Sequence, residues 1–308
     1  MNKIKHYIEL ARYFYKNFGF WTVLYLLFIE FPLCVLYVGF VYRLKVVMYG
    51  QDPVVSVNGS LMKLDLSDIG ASKELFIFGV REPTSTLLTR KLVKKTDIVM
   101  DIGANIGYYA LPECMYACDG HVYAIEPVQD NYDSLCRNIK LNGYRNITPV
   151  KCAISDVDGH VNIVVPEKKN LSFIPQHIES RPLHGYETKM EIVPMYTLDS
   201  FCKQGIHPSY VRMDVEGHEI NILRGMTNVL HSMPVGSWMF IEIHLRELGK
   251  GLTKELYNIL EGAGFVERYC VKEGKNPKRF NYTHLRELFP GLCFPSPIYT
   301  ESFFKKVK

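Results

Sequence analysis

The chain has no paired Cys-x-x-Cys set; its eight cysteines are scattered through 308 residues. Zinc fingers and ribbons need such pairs at fixed spacing, so that class is excluded. Cys114 and Cys118, four apart on an expected helix, read as small buried hydrophobes rather than a ligand pair. Scattered cysteines in a chain this long fit a reducing compartment better than a disulfide framework. Strong charge of one sign is also lacking. A formal net charge of +4 is too small to argue for nucleic-acid binding without a concentrated patch. No internal repeat is visible, which removes solenoids and propellers. A cleaved signal peptide is not expected, because the apolar N-terminal run is too long and Glu30 interrupts it.

What is present is an ordinary globular composition, 47% hydrophobic and 22% charged. Phe18 to Val41 is an apolar stretch of 24 residues, long enough to span a bilayer as a helix. Glu30 and Pro32 lie at its middle. A central acid costs roughly 2.5–3.5 kcal/mol, and each Leu, Ile, Phe or Val returns about 0.3–0.6. Fifteen such residues outweigh that cost. Orientation argues the other way. Lys3, Lys5, Arg12 and Lys16 precede the stretch, against Arg43 and Lys45 after it. A span would leave the N-terminus in the cytoplasm and the body outside. The favoured reading is a pair of helices broken at Glu30-Pro32 and dipping into one leaflet at the cytoplasmic face. The alternative is an apolar helix packed on a soluble cytoplasmic body or on a partner subunit. Residues 1–45 are therefore set apart from a body at 46–308.

Within the body, short strands alternate with helices, the pattern of parallel βαβ units. Residues 46–95 form a lead-in: Val54–Val57 and Leu61–Leu64 flank the hairpin signal Asn58-Gly59, and Thr84 to Lys95 reads as a helix. The segment 96–165 holds strands at Ile98–Asp101, His121–Ile125 and Pro149–Ile154, with a helix near Asp130–Leu141 capped by Asn142-Gly143. Pro112 should make the helix after the first strand kink or start late. Residues 166–190 lack periodicity and read as a substrate-facing loop. In 191–308, strands are expected at Tyr210–Asp214, Trp238–Ile243, Phe265–Val271 and Ser302–Val307.

Two strand ends carry the chemistry. The first runs through Asp101-Ile102-Gly103-Ala104-Asn105-Ile106-Gly107, a glycine turn opening a helix. A dinucleotide fingerprint would place its first glycine where Asp101 stands. A carboxylate there repels a pyrophosphate and suits an ammonium group. Glu126 follows the next strand, where it can accept ribose hydroxyls, and Asp156 follows the third, within reach of an adenine amino group. Ammonium, ribose and adenine together describe S-adenosylmethionine better than NAD. Any one of these acids alone reads equally as a solvated loop residue. The second strand end is Val211-Arg212-Met213-Asp214-Val215-Glu216-Gly217-His218-Glu219, a strand closing on a cluster of acids.

With these runs, and with Ala124-Ile125-Glu126-Pro127, Ala153-Ile154-Ser155-Asp156, Thr197-Leu198-Asp199, Leu223-Arg224-Gly225 and Glu242-Ile243-His244 in order, the chain resembles the FkbM-type methyltransferases. These are a branch of the class I S-adenosylmethionine-dependent enzymes, and the shared motifs run from about Glu82 to His244. The resemblance implies a doubly wound, Rossmann-like α/β sheet of seven strands, the last antiparallel. It implies O-methylation of a hydroxyl, often on a sugar, glycan or glycosylated natural product. It places Asp101, Gly103, Asn105 and Gly107 at the methionine end, Glu126 at the ribose and Asp156 at the adenine.

Methyl transfer from a sulfonium is an in-line displacement, so alignment supplies much of the acceleration. A sugar hydroxyl also benefits from a positioned base. Asp214 is the first candidate, with Glu216 and His244 next; Glu242 is expected on the opposite face of its strand. Acids at a helix start, such as Glu216 and Glu219, can equally be caps. A bound divalent metal is the minority reading, and no metal ligand is assigned. The expected partner is a small-molecule, glycan or lipid-linked acceptor, with no nucleic acid, a membrane surface contacted through residues 18–41, and no assigned oligomer. The competing readings are an NAD-dependent sugar or lipid alcohol dehydrogenase and a non-catalytic, membrane-tethered nucleoside-binding protein.

Overall fold

The computed structural model describes residues 31–67, 71–166, 172, 174, 188–203, 205–272 and 300–308. Contacts divide the chain into two units, Met1–Gly50 with Asn281–Phe294, and Gln51–Phe280 with Pro295–Lys308. Of the first unit, the described part is helix α1 (Phe31–Tyr49). Among the described residues no helix is long and apolar enough to cross a membrane. Most of the apolar stretch 18–41 lies outside the described residues.

The second unit opens with the hairpin β1 (Val54–Val57) and β2 (Ser60–Lys63), whose turn residues Asn58 and Gly59 both have positive φ. Helices α2 (Ala71–Phe78) and α3 (Pro83–Leu92) follow. The alternation then begins: β3 (Ile98–Ile102), α4 (Ala110–Tyr116), β4 (His121–Ile125), α5 (Gln129–Asn142), β5 (Ile147–Val150). The stretch expected as one strand, Pro149–Ile154, is broken. Its second half is β6 (Ala153–Ser155), which leaves the main sheet and pairs in a smaller one with β7 (Gly159–Pro166) and β8 (Thr188–Thr197). Val161, Ile163, Val165, Val193 and Met195 give that smaller sheet its own apolar cluster. Of the expected substrate loop, residues 167–187 lie outside the described residues except Ser172 and Ile174.

The chain continues through α6 (Leu198–Cys202), β9 (Tyr210–Met213), α7 (Glu219–Arg224), α8 (Thr227–Ser232), β10 (Trp238–Ile243), α9 (Leu245–Gly262), β11 (Phe265–Lys272) and β12 (Thr300–Lys306). The main sheet has seven strands in the order β11-β12-β10-β9-β3-β4-β5. All neighbours from β5 to β10 run parallel, and β12 is antiparallel to both β10 and β11. This is the doubly wound α/β sheet expected, with its last strand reversed. Strands β9 and β10 are buried at every position, as parallel strands covered on both faces must be.

Two local details position the site. The turn after β3 occupies residues 103–109, so α4 starts only at Ala110. Pro112 then sits in the first helical turn, where an absent N–H leaves no hydrogen bond unmade. This is the late start its ring demands. The winding also reverses between β3 and β9: β4 and β5 extend the sheet to one side, β9 and β10 to the other. The crevice at such a switch point is where open α/β sheets bind ligands.

Candidate active site

A cleft opens at that switch point. Its walls include Gly103 and Asn105 from the turn, Glu126 beyond β4, Ile154 of β6, and Asp214 and Glu216 beyond β9. Gly103, with φ +84°, approaches the next strand so closely that a Cβ built on it would lie 2.0 Å from the Asp214 carbonyl oxygen. The Asp214 N–H donates to Ile102 O at 3.1 Å, locking the two strand tips together.

Glu126 is 4% exposed and sits under the turn. Its carboxylate accepts from the Asn105 N–H at 2.8 Å and the Val128 N–H at 3.0 Å, with Asn131 Nδ2 at 3.4 Å. Burial nevertheless raises its pKa to about 7, those amides only partly offsetting the desolvation. Asp156 is bonded by Ser155 Oγ at 2.9 Å and Asn221 Nδ2 at 3.2 Å. Those hydrogen bonds, with a contribution from nearby His218, outweigh its desolvation and lower its pKa.

Asp101 does not face the cleft. Its Cα partner across the β3–β9 ladder is Arg212, whose Nη1 donates to Asp101 Oδ1 at 2.9 Å. The same guanidinium reaches Asp214 Oδ2 at 3.2 Å and lies 4.1 Å from the centre of the Tyr109 ring. Arg212 thus neutralises a buried acid and orients an accessible one. Burial dominates the Asp101 carboxyl and raises its pKa despite the arginine. Gly107, with φ +99°, packs on Leu111 and Leu135.

His244, fully buried, donates or accepts at Nδ1 with Glu219 Oε1 at 2.6 Å. Glu219 Oε1 also takes the Gly217 N–H at 3.0 Å, so it accepts that amide and is available to accept from the imidazole. His244 Nε2 faces Glu216 Oε2 at 3.5 Å and Glu242 Oε1 at 3.6 Å. Burial alone would lower its pKa, but these three carboxylates raise it well above the ordinary value. Glu242 therefore stands beside His244, not on the opposite face as expected; residues two apart in a strand share a face.

Of the nine residues singled out in the sequence, Gly103, Asn105, Glu126, Asp214 and Glu216 line the cleft, while Asp101, Gly107, Asp156 and His244 are not among its lining residues. Several groups went unread. Arg212 is a cation inside an otherwise apolar strand, which was a signal in itself. His218, bonded at Nε2 to Ser155 Oγ at 2.8 Å, lines the cleft. Glu82, the left-handed N-cap of α3, and Glu301, the cross-strand partner of Glu242, come from distant segments with no local motif.

A strand order with the reversed strand seventh, a glycine turn at the switch point and acids at successive strand tips define a nucleotide-type cleft of the class I methyltransferase kind. Residues 101–267 match the methyltransferase FkbM domain, and the chain belongs to that family. The match bears out the expected cofactor, S-adenosylmethionine, over NAD. A hexuronic acid methyltransferase, AglP of Haloferax volcanii, is 30% identical over 53% of this chain and 62% of its own length. A tRNA(Phe) (4-demethylwyosine(37)-C(7)) aminocarboxypropyltransferase of Methanocaldococcus jannaschii is 32% identical over 36% of this chain and 43% of its own. The chain thus spans less than two thirds of either relative. The solved FkbM methyltransferase from Methylobacillus flagellatus is 16% identical, with a TM-score of 0.42, covering 78% of this chain and 55% of that one.

Proposed function

We propose that the protein transfers the methyl group of S-adenosylmethionine to a hydroxyl of a sugar or glycan acceptor, free or lipid-linked, at the cytoplasmic face of a membrane. The carrying observation is the pairing of the two cleft walls. Gly103, Asn105 and Glu126 form the donor wall, with Asp101 and Gly107 buried behind it and Asp156 just beyond the end of β6. Asp214 and Glu216 form the acceptor wall, braced by Arg212 and His244. In the step itself the acceptor oxygen bonds to the methyl carbon as the carbon–sulfur bond breaks and S-adenosylhomocysteine leaves. The hydroxyl proton passes to Asp214, which faces the cleft; Glu216 is the alternate base. His244, its pKa raised by three carboxylates, holds a proton near neutral pH and acts here by fixing Glu216.

A hexuronic acid, the substrate class in the name of the Haloferax relative, offers both hydroxyls and a carboxylate. The acid-lined wall disfavours an anionic group at the reacting position, because like charges repel most strongly where water is excluded. That supports a hydroxyl as nucleophile. The same wall repels phosphates, which supports a small acceptor over a nucleic acid. Membrane contact is supported by the apolar stretch 18–41 and by Phe40, Val47 and Met48, which α1 leaves exposed.

The test is transfer of a labelled methyl group from S-adenosylmethionine to free hexoses, hexuronic acids and a lipid-linked glycan extract, followed by alkali. Label that survives alkali in the sugar fraction is the expected ether. Label released as methanol, or found only in RNA, overturns the proposal.

A further inference from the structure

Behind Asp214 lies a concentration of acids that methyl transfer does not explain. The ligand atoms of Asp214, Glu242 and His244 all lie within 4.8 Å of one another. A second trio, Glu82, Glu242 and Glu301, shares Glu242 and is equally tight. The three strands that supply most of these groups are adjacent, and the β10–β12 register sets Glu242 directly opposite Glu301.

The neighbours of Glu242 are otherwise accounted for. Arg212 serves Asp101 and Asp214, Ser85 Oγ donates to Glu301 at 2.6 Å, and Tyr109 OH donates to Glu82 at 3.0 Å. Glu242 is 6% exposed, and no described residue donates a hydrogen bond to its carboxylate. The closest cationic group is the edge of His244, at 3.6 Å. A buried carboxylate without donors is costly, and the usual remedies are a proton or a metal ion. The imidazole is also set for ligation. Its Nδ1 meets Glu219 at 2.6 Å, so the proton that a cation would displace on binding is the one on Nε2, which faces Glu242. A histidine held from behind by a carboxylate is the usual outer support of a metal-bound imidazole.

We infer that Asp214, Glu242 and His244 form a binding site for one divalent cation at the acceptor wall of the cleft. Two carboxylates and one imidazole suit a borderline-hard ion such as Mn²⁺. An ion about 2.1 Å from each ligand needs ligand separations between about 3 Å and 4.2 Å, so side-chain shifts of an ångström or less complete the site. Bound there, the ion would take the acceptor hydroxyl as a further ligand and lower its pKa. That role rests on the proposed hydroxyl methylation; the binding itself does not.

The experiment titrates Mn²⁺ into the chelator-treated full chain, reading the loss of the free-ion paramagnetic resonance signal, alongside Glu242→Gln. Thermal unfolding with and without Mn²⁺ accompanies it, and S-adenosylhomocysteine binding by calorimetry verifies the folded cleft in both proteins. One tight ion per chain in the native protein, with affinity weakened about tenfold or more and the Mn²⁺-dependent rise in Tm lost in Glu242→Gln, is the expected result. A native protein that binds S-adenosylhomocysteine but no Mn²⁺ overturns the cation site and leaves the methyltransferase reading standing. A folded Glu242→Gln protein that binds Mn²⁺ as the native one does also overturns it.

Discussion

Three glycines separate two costs that usually travel together. Gly143, the cap of α5, has φ +65° with nothing within 4 Å of a built Cβ, so Gly143→Ala carries only the left-handed backbone penalty. That is about 1–2 kcal/mol, reduced by the lower entropy of an unfolded alanine chain. Gly225 has an ordinary φ of −85°, but a Cβ there lies 1.9 Å from the Ser155 carbonyl oxygen. Gly225→Ala therefore carries only a clash with backbone, which cannot rotate away. Gly103 combines φ +84° with 2.0 Å to the Asp214 carbonyl oxygen. Relieving that contact requires β3 and β9 tips to part by about 1 Å, and overpacking of this kind costs about 1–3 kcal/mol. Adding the backbone penalty gives about 2–5 kcal/mol for Gly103→Ala. For a body of this size each kcal/mol moves Tm by about 2–4 °C. Calorimetric unfolding should thus rank Gly103→Ala as most destabilised and Gly143→Ala as least. Gly103→Ala should also weaken S-adenosylhomocysteine binding, which Gly143→Ala leaves intact. A Tm for Gly103→Ala equal to that of Gly143→Ala would refute the close approach of the turn to β9.

Three further outcomes follow from the same contacts. Arg212→Met strands Asp101 as a buried, unpaired acid and should cost about 3–5 kcal/mol in urea unfolding, with partial recovery in Arg212→Met/Asp101→Asn; no recovery in the double variant would show that the pair is not the cause. Because Glu126 has a folded pKa raised to about 7 from an ordinary value of 4.5, its ionisation removes stability as pH rises from 4.5 to 7, with no further change above. If ribose hydroxyls select the ionised form, S-adenosylhomocysteine affinity should climb between pH 6 and 7.5 and then level, and Glu126→Gln should flatten that profile. Deleting residues 1–43 should move the protein from the membrane to the soluble fraction after cell lysis; full retention would end the role assigned to the apolar stretch.

Much of the main sheet was legible because its signals are local. The strand Trp238–Ile243 stands at its expected bounds, since the apolar run Trp238–Ile241 starts just after Gly236 and continues into the Glu242-Ile243-His244 motif. Asn142-Gly143 ended its helix as read, through a glycine at φ +65°. The smaller sheet went unread although Val161, Ile163 and Val165 alternate inward along β7. In β8 the exposed Met190 and Ile192 blur the same period-two pattern. The break between β5 and β6 is set by the transfer of a strand to another sheet, a tertiary event without a local marker.

The site divides in the same way. Asp214, Glu216 and Glu126 could be placed at strand tips because tips are readable from where apolar runs stop. Partnerships across strands could not. Asp101 meets Arg212, and Glu242 meets Glu301, only through ladder registers joining segments 111 and 59 positions apart in the chain. The ammonium-binding role expected of Asp101 was argued from its position in the turn; the arginine opposite it is what the sequence did not disclose.

The most direct measurement is calorimetric titration of the full chain with S-adenosylmethionine, S-adenosylhomocysteine and NAD, in the native protein and in Glu126→Ala. Binding of both adenosyl ligands but not of NAD, weakened about tenfold or more by Glu126→Ala, is the result predicted for a donor pocket built on the glycine turn and Glu126. Binding of NAD alone, or adenosyl binding indifferent to Glu126→Ala, would contradict it.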